Sequence, residues 1–204
     1  MKAENRRKKV VDASDLDNTT RIYIYVCIAI ACFVFYGNTL KLDYALDDVI
    51  AITGNQFTKA GLKGIPDIMT TDLFTGLNGK DNTNVTGGRY RPLSLVSFAI
   101  EYQFFGLKPG ISHFINILIL LFTSLIFLRV FWKLFVLKGI PPDAKSWFIS
   151  IPFLAVMFFI GHPVHTEAVA NIKGRDELLS LFFVLLTMKL ILRYFENNKF
   201  YYQV

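Results

Sequence analysis

The chain has 204 residues, 53% of them hydrophobic and 15% aromatic, with 20 phenylalanines and a formal charge of +6. Long apolar runs and a mean hydropathy of +0.41 exclude an ordinary soluble domain and place the chain among membrane proteins. Much of the basic character stands in Arg6-Arg7-Lys8-Lys9, ahead of the first apolar run, which suits lipid headgroups rather than nucleic acid; no nucleic-acid partner is expected.

Residues 1–21 are polar and of mixed charge and read as a cytoplasmic tail. Residues 22–40 follow without a charged side chain. At about 1.5 Å per residue they reach roughly 28 Å, enough to cross a bilayer core, and a signal anchor fits better than a cleaved leader. Cys27 and Cys32 both lie inside this run. Their spacing is not that of a CxxC pair, so neither a disulfide nor a zinc site follows.

Residues 41–113 read as a large outer loop, dense in Gly, Asn, Asp and Thr up to residue 91 and with a flexible tip. Within it, Pro92 opens an apolar segment that Gly106 closes, the expected punctuation of a helix. Residues 93–105 are too few to span and carry Glu101 and Gln103, so this helix is expected to lie along the membrane surface. Residues 114–136 form the second expected span, 147–161 a short third one, and 178–195 the fourth. Between the last two, residues 162–177 are polar. The expected fold is all-α: about four transmembrane helices plus one interfacial helix.

Orientation follows from charge. The tail, the turn from Arg129 to Lys145, and the end from Arg193 to Lys199 are basic and fall on one side. The positive-inside rule makes that side cytoplasmic. The two polar loops then face outward together, toward a periplasm or an endoplasmic-reticulum lumen; Phe-, Ile- and Asn-rich usage suggests a bacterial inner membrane.

Ionisable residues at such positions are candidate functional groups. Asp47 and Asp48 are adjacent and so point in different directions; one is suited to act as a base toward a hydroxyl while the other braces the loop. Two solvated acids, or a cap for the segment that follows, is the alternative. Arg89 and Arg91 offer forked donors at headgroup depth, for a lipid phosphate or for ordinary headgroup contact. His113 and Asn116 share one helix face, where an interfacial cap is the plainer reading. His162, His165 and Glu167 do not match HExxH, and no metal ligation is assigned. Arg175 and Asp176 read as a turn into the fourth span, the arginine suited to phosphate and the aspartate to orienting it.

Four blocks stand in a definite order: Leu46-Asp47-Asp48; Tyr90-Arg91-Pro92-Leu93-Ser94; His162-Pro163-Val164-His165-Thr166-Glu167-Ala168-Val169; and Gly174-Arg175-Asp176-Glu177-Leu178-Leu179-Ser180. From about residue 40 to 195 the chain resembles the N-terminal membrane part of the transmembrane and tetratricopeptide-repeat O-mannosyltransferases. The resemblance implies a partial GT-C fold and a sugar donor carried on a polyprenyl phosphate. It implies transfer to Ser or Thr hydroxyls of an acceptor protein on the outer side of the bilayer. It implies Asp47, with Asp48 beside it, as the catalytic acids. Arg89, Arg91, His165 and Arg175 would bind the lipid-phosphate donor, with His113, His162, Glu167 and Asp176 in support. No cofactor is called for, and a divalent metal is left open. Four spans and no repeats are fewer than that family carries, so a fragment of a longer enzyme is expected. A non-catalytic membrane scaffold or assembly subunit is the alternative.

Overall fold

The computed structural model describes residues 16–45, 47–79, 89–140, 142–143 and 145–197. Most of the basic tail, the loop tip at 80–88 and Leu46 of the first motif lie outside the described residues. Among the described residues every regular element is helical.

Helix α1 (Asn18–Tyr36) starts four residues earlier than its apolar run because Asp17 caps it. The Asp17 carboxylate accepts from the Thr20 backbone N–H at 2.9 Å, satisfying one of the orphan donors of a first turn. A short 3-10 turn (Gly37–Lys41) continues it. The outer loop then folds, contrary to the reading of residues 41–91 as plain loop. It holds a π-helical turn (Val49–Thr53) and the short helices α2 (Gln56–Lys59), α3 (Ile65–Thr70) and α4 (Thr75–Asn78). Their apolar residues are too few per segment to show a period, but they converge. Ala51, Ile52, Ile68 and Leu73 meet Leu95, Phe98 and Ala99, with Ile172, in a small core of their own. Asn55 holds this unit together from inside, accepting from the Phe57 and Thr58 N–H groups and donating to the Ile50 and Leu73 carbonyls.

Helix α5 (Pro92–Phe105) begins and ends as its punctuation indicates. Pro92 needs no N–H partner at that position, and Gly106 takes φ 67°, which a side chain would oppose. One face of α5 supplies Leu95, Phe98 and Ala99 to the loop core, and Phe104, Phe105 and Leu107 beside its end stay exposed.

Helix α6 (Pro109–Leu137) is 29 residues, about 44 Å long, five residues longer at its start than the expected span because Pro109 opens it. Helix α7 (Ile151–Gly161) has 11 residues, about 16 Å, and stops before the histidines: His162 is already extended. Helix α8 (His165–Ala170) lies in the second polar loop, and α9 (Arg175–Asn197) runs 23 residues to the end of the described chain. Three helices are long and apolar enough to cross a membrane, Asn18–Lys41, Pro109–Leu137 and Ile172–Phe195, and α7 is a fourth, shorter apolar helix. The chain is an all-α membrane protein.

The larger core joins α1, α6, α7 and α8 through Ile24, Ile28, Cys32, Ile117, Leu120, Val156, Ile160 and Val169. The Tyr36 hydroxyl donates to the Ile160 carbonyl at 2.9 Å, so α1 and α7 end at one level. The most extensive helix–helix contact is between α6 and α9.

Candidate functional site

The site begins where the outer unit meets the loop between α8 and α9. Asp48 is buried, and both of its oxygens are occupied. Oδ2 accepts from the Ala45 N–H at 2.7 Å and Oδ1 from the Lys173 N–H at 2.8 Å. Burial pushes its carboxyl above the usual carboxylate range, against the lowering by those two donors and by nearby His113. Asp47 points the other way: its side chain is 56% exposed and takes a 3.3 Å contact from the Lys173 ammonium. One lysine thus serves both acids, its backbone holding Asp48 and its side chain facing Asp47.

Three residues past Lys173, Asp176 pairs with Arg91 at the start of α5. The Arg91 side chain keeps 39% exposure and stands at the edge of a groove of about 640 Å³. Arg91, Ser94, Asp176, Glu177 and Ser180 make the groove polar, while Leu93, Leu179, Phe183 and Val184 make it apolar.

Arg175 is not in that groove. It is completely buried under α5 and α6. Its Nε donates to Asn116 Oδ1 at 2.8 Å, Nη1 to Ser97 Oγ at 3.0 Å and to Glu101, and Nη2 to the Ser112 carbonyl at 2.9 Å. The Phe98 ring lies 4.2 Å beneath the guanidinium carbon. Ser112 Oγ donates to the second Glu101 oxygen at 2.7 Å, so this buried ion pair is hydrogen-bonded on both partners. Asn116 in turn donates to the Val169, Asn171 and Ile172 carbonyls at 3.3–3.5 Å. Gly174 is required beside it: a Cβ there would stand 2.7 Å from the Ala168 carbonyl oxygen.

The remaining candidates fall in two places. His113 is buried one turn before Asn116, and neither ring nitrogen has a hydrogen-bond partner among the described residues. His162 and His165 sit together at the end of α7, ring centroids 6.1 Å apart. His162 Nδ1 accepts from the Val164 N–H at 3.2 Å, and His165 packs on Phe159 at 4.3 Å. Burial holds the His165 imidazole below its ordinary range, with His162 adding to it. Glu167 and Arg89 are exposed. No three His, Cys, Asp or Glu side chains among the described residues gather as a cation site.

Asp47 and Asp48 thus meet at Lys173, three residues before the Asp176 that pairs with Arg91 at the groove; Asp47, Lys173, Arg91 and Asp176 mark this rim, and Asp48, Arg175 and His113 are buried. Sequence reasoning passed over Lys173, Ser97, Ser112 and the role of Glu101. Glu101 alone left a signal, an acid inside an otherwise apolar helix, which demands a partner.

Comparison with known proteins is decisive for kinship. No family model matches the chain, and no solved structure matches it. Curated proteins do. Protein O-mannosyl-transferase TMTC3 of Homo sapiens is 33% identical over 168 residues, 82% of this chain and 16% of that protein. Protein O-mannosyl-transferase TMTC4 of Homo sapiens is 32% identical over 178 residues, 84% of this chain and 23% of that protein. Protein O-mannosyl-transferase Tmtc3 of Drosophila melanogaster is 30% identical over 165 residues, 76% of this chain and 17% of that protein. The chain belongs to the transmembrane and tetratricopeptide-repeat O-mannosyl-transferase family. It spans about a sixth to a quarter of the length of the relatives it matches.

Proposed function

We propose that this chain is the membrane part of a glycosyltransferase that moves a sugar from a polyprenyl-phosphate donor to Ser or Thr hydroxyls of an acceptor protein. The reading rests on the names its relatives carry and on one geometric observation: Asp47 is exposed while its neighbour is consumed in bracing. In this reading the fold is a partial GT-C fold, the tail and the Lys138 end are cytoplasmic, and the rim faces lumen or periplasm.

The chemistry is a single displacement with inversion. The Asp47 carboxylate takes the proton of the acceptor hydroxyl as its oxygen bonds to the anomeric carbon. The bond from that carbon to the phosphate oxygen breaks, and the electron pair leaves on the lipid phosphate. Arg91 is the cation suited to that phosphate, since Asp176 orients its guanidinium without using all five donors. The groove fits an amphiphile with a charged head beside Arg91 and an apolar chain along α9. Arg175 acts through structure: it anchors the loop that carries Lys173 and Asp176. His165, His162, Glu167 and Arg89 remain candidates for contact with the donor head or the acceptor, and His113 for support of Asp48.

One observation favours a second reading, a membrane scaffold without catalysis. Arg175, Glu101 and Asn116 are satisfied by one another, as in a purely structural network. The deciding experiment uses membranes bearing the complete gene product, a radiolabelled polyprenyl-phosphate sugar and a Ser/Thr-rich acceptor. Label on the acceptor, lost with Asp47→Asn, supports the enzyme. Absence of label with intact, folded protein favours the scaffold.

A further inference from the structure

At the opposite end of the helices from Asp47, three cations stand together. Helices α6 and α9 run in the same direction. Arg175, the first residue of α9, bonds Asn116 near the start of α6, and farther along Lys189 lies within electrostatic reach of Arg129 and Arg193. Lys189 is about 21 Å along α9 from Arg175, and Arg129 about 20 Å along α6 from Asn116, so the two cations share one level. Arg193 lies a turn farther on, on the face of Lys189. With Asn116 and Arg175 taken at the outer edge of a bilayer core about 30 Å thick, Arg129 and Lys189 fall short of the headgroup plane of the far leaflet.

Like charges at that depth are costly unless an anion joins them. Among the described residues no carboxylate pairs with any of the three. Arg129 is nevertheless held in place. Its Nη2 donates to the Tyr25 hydroxyl at 2.8 Å and its Nε at 3.2 Å, with the guanidinium 5.6 Å from that ring. Arg129 and Arg193 are exposed and Lys189 half-buried, so all three can be reached from the lipid. Apolar Leu190, Ile191 and Tyr194 are exposed around them on α9. Cations within an apolar, lipid-facing surface, one of them fixed by Tyr25, suit a phosphate attached to acyl chains.

We propose that Arg129, Lys189 and Arg193 form a binding site for an anionic phospholipid of the leaflet that meets this end, with its phosphate bridging α6 and α9. The site is separate from the groove at Arg91, and it stands whether or not the chain is part of an enzyme.

Native mass spectrometry of the purified 204-residue chain, offered equal phosphatidylglycerol and phosphatidylcholine, tests this. One phosphatidylglycerol is expected to remain bound in preference to phosphatidylcholine. Lys189→Gln with Arg193→Gln lowers its retention by roughly fivefold for each charge removed. Lys189→Arg with Arg193→Lys keeps the lipid, which separates charge loss from misfolding, and so does Lys138→Gln, an exposed cation at the end of α6 outside the cluster. Equal retention of both lipids, unchanged retention in the glutamine pair, or equal loss in either control overturns the site. Displacement by millimolar inorganic phosphate would replace the lipid with a free anion and overturn it as well.

Discussion

Two adjacent aspartates end in opposite environments because successive side chains in a turn diverge. Asp48 goes inward, where two backbone N–H groups hold it, and Asp47 goes outward to Lys173. Asp48→Ala leaves both donors without a partner and is expected to destabilise the fold by about 1–3 kcal/mol per donor, read as a lower unfolding temperature. Asp47→Asn should leave that temperature unchanged. The raised Asp48 carboxyl also fixes a pH dependence. The folded state binds this proton more tightly than the unfolded one. The stability it contributes is full below the unfolded carboxyl range and is lost as pH rises through the raised folded value. The difference in unfolding temperature between the wild type and Asp48→Asn should therefore move in favour of the wild type as pH falls toward 4. Thermal unfolding of the pair at several pH values checks the sign, and a difference that moves the other way contradicts the burial argument.

At the scale of elements, the Arg175–Glu101 pair with Asn116 and Ser112 ties α5, α6 and α9 to one buried point. Removing one member strands the other's charge, so Arg175→Met should cost about 3–5 kcal/mol. Arg175→Met combined with Glu101→Leu should recover part of that loss, because no charge is left unpaired. A double mutant no better than the single would show that the ion pair is not what α9 depends on. The network also shows where sequence reading stopped. Pro92 and Gly106 marked the ends of α5, since each states a local backbone need, whereas the start of α6 at Pro109 was read five residues too late. Arg175 looked like a phosphate ligand because its partners, Ser97, Glu101, Ser112 and Asn116, lie 59 to 78 residues away. No local pattern reveals such a partner. The folded outer unit was hidden for a similar reason: the apolar residues of its short helices converge with those of α5 and with Ile172, far along the chain.

At the scale of the whole molecule, the account needs α7 to return the chain across the bilayer, although it has only 11 residues. With Cys27 and Cys32 replaced by alanine, Val164→Cys and Lys138→Cys should react with a membrane-impermeant thiol reagent from opposite sides. Both are exposed positions, Lys138 in the turn that leads from α6 to α7 and Val164 just past the end of α7. Labelling from the same side would mean that α7 does not cross and that the rim does not face away from the basic end. If the rim does face outward, the proposed transfer would draw on Asp47 beside Lys173 and on Arg91 at the edge of the groove. The most direct measurement is the initial rate of sugar transfer from polyprenyl phosphate to a Ser/Thr acceptor by the complete gene product carrying Asp47→Asn or Asp48→Asn, at equal amounts of folded protein. The account predicts that Asp47→Asn lowers the rate by about a hundredfold or more, while Asp48→Asn retains most of it. Wild-type transfer by Asp47→Asn would contradict the account.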